Sequence, residues 1–208
     1  MVRKCLLLLN SIWYFFITRK VIKKGRNSLL FFCKTRHVEI GNSIIVGDNS
    51  HLNRCSFLIK GKNNRIIIKN NCLLSNVRFY VTGDGNCIEI GNGVTVGTST
   101  EFAALEGTII RIGDDCMFAH DIKVRTSDSH SIVDEQGERI NKSGDISIGK
   151  HCWIGMQALI LKRSSMGDNS VLAARSILNK NFQESGCIIG GSPAKILKTN
   201  INWDRRKI

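Results

Sequence analysis

A period of six residues constrains this chain more than any other feature. Ile40-Gly41-Asn42-Ser43-Ile44-Ile45 runs directly into Val46-Gly47-Asp48-Asn49-Ser50-His51 and then Leu52-Asn53-Arg54-Cys55-Ser56-Phe57. The pattern returns at Ile90-Gly91-Asn92-Gly93-Val94-Thr95, at Ile112-Gly113-Asp114-Asp115-Cys116-Met117, at Ile148-Gly149-Lys150-His151-Cys152-Trp153 and at Met166-Gly167-Asp168-Asn169-Ser170-Val171. A helix needs apolar residues at three- and four-residue steps, and a half-buried strand needs strict alternation. Six fits a short strand and a turn, repeated, so that the chain winds into a prism whose stacked coils bury together what none buries alone. The first residue of each unit fills the interior. The fifth also points inward but has less room, which predicts small buried thiols at Cys72, Cys116 and Cys152. Glycine second, followed by Asn or Asp, supplies the turn.

Such units run through residues 40–180 once an excursion is set aside. The period blurs between Leu58 and Phe79, and Lys60-Gly61-Lys62-Asn63-Asn64 and Thr82-Gly83-Asp84-Gly85-Asn86 read as longer corners. Residues 126–145 are polar and without the repeat, which predicts a loop leaving the prism, a common location for function. The stretch before Ile40 also lacks it. There Cys5–Ile17, interrupted by Asn10 and Ser11, is too short to span a bilayer as a helix. Thr18-Arg19-Lys20 follows, rather than a small-residue cleavage site. The expectation is a helical amino-terminal segment over 1–39, a β-body over 40–198 and a short basic tail over 199–208. The first segment either shields the open end of the coils or lies on a membrane surface.

Charge is unevenly spread. The chain carries +13, of which residues 1–40 hold +8 and residues 191–208 hold +4, leaving the body nearly neutral. This argues against a nucleic-acid groove along the body. It suits ends that meet anionic lipid, an acidic polymer or a phosphorylated cofactor. No two of the eight cysteines stand as C-x-x-C, so reduced, buried thiols in a cytoplasmic protein are expected.

Of the five histidines, His130 stands inside the polar loop, within Ser127-Asp128-Ser129-His130-Ser131, where no core position accounts for it. An imidazole can take a hydroxyl proton near neutral pH. His120 and His151 occupy turn positions and read as surface or packing residues. Trp153 is the sixth residue of its unit and should face outward, unlike a core tryptophan.

Several segments in order carry a resemblance. They are Phe118-Ala119-His120, Arg125-Thr126-Ser127-Asp128-Ser129-His130-Ser131-Ile132, Arg139-Ile140-Asn141, Ile148–Gly155 and Ile189-Gly190-Gly191-Ser192-Pro193-Ala194-Lys195. Together they resemble the hexapeptide-repeat acyltransferases, and within them the bacterial O-acetyltransferases of capsules and other surface polysaccharides. The resemblance covers about residues 40–198 and implies an all-β, left-handed parallel β-helix with three units to a coil, about seven coils over residues 40–180. It implies a homotrimer with active sites between neighbouring prisms, acetyl-coenzyme A as donor, a polysaccharide or lipid-linked glycan as acceptor, and no metal. It makes His130 the base and puts Trp153 beside the thioester. Asp128, or a backbone carbonyl, is left to orient the imidazole. Gly155, Ala173 and Ala174 are small enough for the pantetheine arm. Lys195 matches a lysine near the cofactor, with Arg175, Lys180 and Lys198 as further phosphate candidates. The pattern departs from the family at Leu161-Lys162-Arg163 and at Leu178-Asn179-Lys180-Asn181. The expected location is the cytoplasm, with peripheral contact to an anionic membrane. A small-molecule acetyltransferase of the same fold and a non-catalytic β-helix binding protein remain as alternatives. A metal-dependent β-helix hydratase would need a third converging histidine.

Overall fold

The structure is a computed structural model that describes residues 21–37, 39 and 41–208. Its strands form three sheets of eight, nine and seven members, parallel except for the last pair of the second, and the chain visits the first, second and third face in turn. Seven complete coils and part of an eighth are present among the described residues. The handedness is left, as in the hexapeptide-repeat fold expected from the sequence.

The interior is built from rows of like residues. Ile44, Ile66, Ile88, Ile110 and Ile146 stack in register on the first face, all buried. On the third face Phe57, Phe79 and Phe102 stack with ring centroids 4.9 and 5.7 Å apart. Each such side chain contributes about 1.5–3 kcal/mol when removed from water. A coil gains it only because its neighbours carry the same residue at the same height. Cys72, Cys116 and Cys152 are buried as expected, each thiol facing a backbone carbonyl of an adjoining coil.

Coil length departs from three strict hexapeptides. Register partners lie 22 residues apart in the early coils, as Ile44↔Ile66↔Ile88, and 18 apart only near the end, as Trp153↔Val171. The surplus sits on the third face, where strands run to five residues (Ser56–Lys60, Arg78–Thr82, Glu101–Leu105), and at the corner leading back to the first. That corner is closed by a ladder of buried amides: Asn64 N–H donates to Asn42 Oδ1 at 2.9 Å and Asn86 N–H to Asn64 Oδ1 at 2.8 Å. The blurred period and the longer corners of the sequence have this cause. The excursion 126–145 leaves from the same corner, two coils after Asn86.

The amino-terminal expectation needs correction. Ile22–Lys24, Leu29–Phe31 and Lys34–Arg36 form the first coil, in register with the second. The coiled body therefore begins at Ile22 and not at Ile40, and residues 22–37 are not part of a helical segment. Gly25-Arg26-Asn27-Ser28 repeats the corner Gly47-Asp48-Asn49-Ser50, and Gly25 N–H donates to the Val46 carbonyl at 2.7 Å. Outward Leu29, Phe31 and Phe32 disguise the repeat. The apolar run Cys5–Ile17 lies outside the described residues. No helix among the described residues is long and apolar enough to cross a membrane.

At the other end, Ile188–Gly191 pairs antiparallel with Ala194–Lys198, closing the second sheet. The tail then turns back along the outside of that sheet.

Candidate active site

His130 is exposed on a loop with a defined scaffold. Residues 132–140 form a small hairpin, with Ile140 N–H donating to the Ile132 carbonyl at 2.9 Å and Val133 bridged to Arg139. Asn141 anchors it. Its Nδ2 donates to the His130 carbonyl at 2.8 Å and to Asp128 Oδ2 at 2.7 Å, while its Oδ1 accepts from Ile132 N–H at 2.7 Å. Arg139 grips Glu106 through two bonds of 2.9 and 3.0 Å, and Ser127 Oγ donates to the same carboxylate at 2.7 Å. Arg139 and then Ser127 hold the Glu106 carboxyl below its usual range.

Asp128 is placed differently from its expected role. Its Oδ2 accepts from Lys162 Nζ and from Asn141, and these two partners, the lysine first, hold its carboxyl below the usual range. Among the described residues no hydrogen bond joins it to the His130 imidazole. The expectation that Asp128 orients that ring is therefore corrected: its carboxylate is committed to Lys162 and Asn141 and shapes the loop instead. The unusual Leu161-Lys162-Arg163 is accounted for in the same way, because Lys162 ties the loop to the sixth coil, also donating to the Asn141 carbonyl at 2.9 Å.

A groove of about 390 Å³ runs along a different edge, the corner between the second and third faces. Trp153, Gly155, Ala173 and Ala174 line it, four of the residues singled out from sequence, and His120 and Met156 join them. Trp153 is 40% exposed, as its outward repeat position requires. Gly155 cannot be replaced cheaply, since a Cβ there would stand 2.5 Å from the Ala174 nitrogen. Two backbones approach closely only because this residue has no side chain, and the result is a smooth wall of small residues. Such a wall fits an extended, narrow acyl carrier.

The basic candidates divide. Lys195 pairs with Gly190, whose position continues the corner row of the groove, as a Cβ there would touch Ala173. Arg175 follows Ala174 directly and is held by Gln157 at 2.7 Å. Lys198 lies farther along its strand, opposite Ile188. Lys180 follows the third-face strand Ile177–Leu178 and sits over the Phe182 ring at 5.2 Å, so it belongs to the loop's corner and not to the groove. The structure thus separates it from the other phosphate candidates.

His120 reads from sequence as a surface or packing residue, yet it stands on the groove wall. Its signal was the register: Ala119-His120 occupies the corner that Gly155-Met156 and Ala173-Ala174 occupy in later coils. Among the described residues, no hydrogen bond or ion pair joins residues 127–145 to the groove wall, and no cluster of three or more His, Cys, Asp or Glu side chains could hold a metal ion.

No family model matches the chain. Over 92 residues, 44% of this chain, it is 38% identical to a polysialic acid O-acetyltransferase of Escherichia coli O1:K1 / APEC, covering 30% of that protein. Over 93 residues, again 44% of this chain, it is 36% identical to a polysialic acid O-acetyltransferase of Neisseria meningitidis, covering 43% of it. These matches span less than half the length of the curated relatives. Among solved structures, the polysialic acid O-acetyltransferase OatWY superposes with a TM-score of 0.80 at 32% identity, covering 90% of this chain and 92% of that one. The polysialic acid-specific acetyltransferase NeuO gives a TM-score of 0.57 at 28% identity, covering 89% and 88%.

Proposed function

Because the chain belongs to the hexapeptide-repeat acetyltransferase family that includes polysialic acid O-acetyltransferases, we propose that it transfers acetyl from acetyl-coenzyme A to a hydroxyl of a capsular or other surface polysaccharide. The observation that carries this reading is the near full-length likeness to OatWY. The groove of Trp153, Gly155, Ala173 and Ala174, with a polar loop bearing an exposed histidine on another edge, agrees with it.

Acetyl-coenzyme A supplies the acetyl group as a reactive thioester. The small residues of the groove admit the pantetheine arm, and Trp153 walls the acyl end. Lys195 and Arg175 are the cations near that corner that would meet phosphates. His130 removes the proton of the acceptor hydroxyl as its oxygen attacks the thioester carbonyl, and returns that proton to the departing thiolate. Donors at the groove edge must stabilise the oxyanion that forms.

Loop and groove occupy different edges of one prism. A site containing both forms when the loop of one copy meets the groove of the next, which supports a homotrimer with interfacial sites. Ile132, Val133 and Ile140 are exposed on the loop hairpin, apolar surface of the kind a neighbouring copy covers. The basic amino-terminal stretch supports a cytoplasmic enzyme that touches an anionic membrane.

The test is His130→Ala with the host's own glycan and labelled acetyl-coenzyme A. Turnover is expected to fall by about 10²–10⁴, with coenzyme A binding nearly unchanged. Wild-type rates from this variant would remove His130 from the chemistry. A wild-type protein that neither binds coenzyme A nor modifies any glycan would remove the proposal itself.

A further inference from the structure

Trp203 is buried within an otherwise exposed segment. It is 8% exposed, while Asn202 and residues 204–208 are exposed. Its indole N–H donates to the His151 carbonyl at 2.7 Å, and its own carbonyl lies 3.0 Å from His151 Nε2. The two rings stack at 4.4 Å and 12°. His151 Nδ1 lies 2.6 Å from Asp115 Oδ2. Asp115 Oδ1 accepts from Arg205 Nε at 3.0 Å, and the other guanidinium nitrogens reach Thr95 Oγ1 at 2.9 Å and the Asp115 and Cys116 carbonyls at 3.0 Å. The segment therefore clasps coils four to six from outside.

His151 itself is out of pattern. Its φ is 49°, in the left-handed region, where the same corner of other coils carries Asn49, Asn71, Gly93, Asp115 and Asn169. Histidine, like asparagine and aspartate, is among the non-glycine residues found there, and at this corner its ring adds contacts with Asp115 and Trp203 that the other coils lack. Trp203 also meets Trp153, with ring centroids 6.1 Å apart at 44°, without itself lining the groove. Trp153 stands on a strand of only two residues, Trp153–Ile154, between Met117 and Val171, neither of them aromatic.

We propose that Trp203 and His151 are positioning residues that fix the Trp153 indole on the wall of the groove, an inference that rests on reading this groove as the donor site. The clasp gives residues far outside the repeat a part in donor affinity. Trp203 supplies the aromatic neighbour, His151 holds Trp203, and Arg205 with Asp115 anchors the pair to the coils beneath.

Two measurements on full-length protein test it. Coenzyme A affinity is read by calorimetry for wild type, Trp203→Ala and Trp203→Phe. The alanine variant should bind about tenfold more weakly, and the phenylalanine variant, which keeps a ring against Trp153, should recover most of that loss. Acetyl-transfer kinetics should show the change in the donor KM more than in kcat. Acrylamide quenching of Trp153 is then compared without any ligand, in a Trp13→Phe background carrying Trp203→Phe or Trp203→Ala, so that Trp153 is the sole indole. Trp153 should be quenched more readily beside alanine. Equal affinities and equal quenching in folded variants would overturn the clasp. Should Trp203→Ala fail to fold, His151→Gln takes its place: against wild type in the affinity measurement, and added to the Trp13→Phe, Trp203→Phe background in the quenching measurement, where Trp153 stays the sole indole; weaker binding and readier quenching are again expected. If wild type does not bind coenzyme A at all, the functional reading fails, and the quenching comparison still decides whether Trp203 positions Trp153.

Discussion

Asn141 commits both ends of its amide to the loop that carries His130. The Nδ2 group joins the His130 carbonyl to the Asp128 carboxylate, and Oδ1 receives Ile132 N–H and Arg139 Nε. Asn141→Ala leaves these groups near solvent, where water satisfies them, so stability should change little. The path of the backbone at His130 should change more. With His130 acting as the proposed base, we expect kcat to fall roughly 10- to 100-fold, because a small misplacement of such a group is costly, with coenzyme A affinity retained. Turnover kinetics beside calorimetry check this, and unchanged kcat would mean that the loop holds its shape without the amide. His130 stood out in the sequence because a histidine in a polar stretch without repeat has no packing role, and in the structure it is exposed on the loop. Asn141 was legible only as part of a motif. Its function depends on Asp128 and the His130 carbonyl, more than ten positions away in a stretch whose path no period dictates. Asp128 misled for the same reason: nearness in sequence suggested the imidazole as partner, whereas the fold supplied Lys162 from the next coil.

Corners are where this fold departs from its repeat. From the first face to the second every coil keeps the hexapeptide spacing, as Val46 to Leu52 and Ile148 to Ile154, so those buried rows, with Cys72, Cys116 and Cys152, follow from the sequence. The corner from third to first face does not, because the Asn42–Asn64–Asn86 ladder allows extra residues there while inward residues stay in register. The first coil was hidden by outward Leu29, Phe31 and Phe32, although Gly25 and Asn27 marked its turn. The corner at His151 brings a pH dependence. Both its ring partners are acceptors, a carboxylate and a carbonyl, and only an imidazolium donates to both. Partial burial opposes the charge, but the Asp115 carboxylate and the Trp203 carbonyl outweigh it and raise the pKa above its usual 6.5, against the nearby Arg205. Asp204 is a further anion facing His151. A raised native pKa contributes stability that is fully present below the unfolded value and lost as pH rises through the native one. The melting temperature should therefore decline as pH rises above about 6.5, and His151→Gln should flatten that decline. Parallel profiles for the two proteins would show that the clasp is indifferent to protonation.

For the whole molecule, the proposed site needs both the groove on one edge of the prism and the histidine loop on another, which is the basis for proposing that copies share it. Light scattering at micromolar concentration should report a trimer, and a monomer would remove the basis for a shared site. Deletion through Lys20 leaves the first coil, beginning at Ile22, untouched. The truncated protein should keep the β-rich circular dichroism of the full chain and, under the proposed membrane contact, pellet with vesicles of anionic lipid less than the full chain does; equal pelleting of both would dispose of that contact. Sharing itself can be tested by complementation. His130→Ala spoils the loop and keeps the groove, while Trp153→Ala spoils the groove and keeps the loop. Each alone should be nearly inactive. Co-expressed in equal amounts, they assemble at random, and a complete site arises wherever the loop of a Trp153→Ala chain faces the groove of a His130→Ala chain. If each site takes one element from each of two neighbours, that pairing occurs in about one quarter of sites, so the mixture should regain about a quarter of wild-type activity. A site made within one chain predicts none, because every chain then carries one spoiled element. Measured recovery near zero in mixed trimers that bind coenzyme A would place His130 and the groove in the same copy, and the loop would then have to close across the third face to reach Trp153.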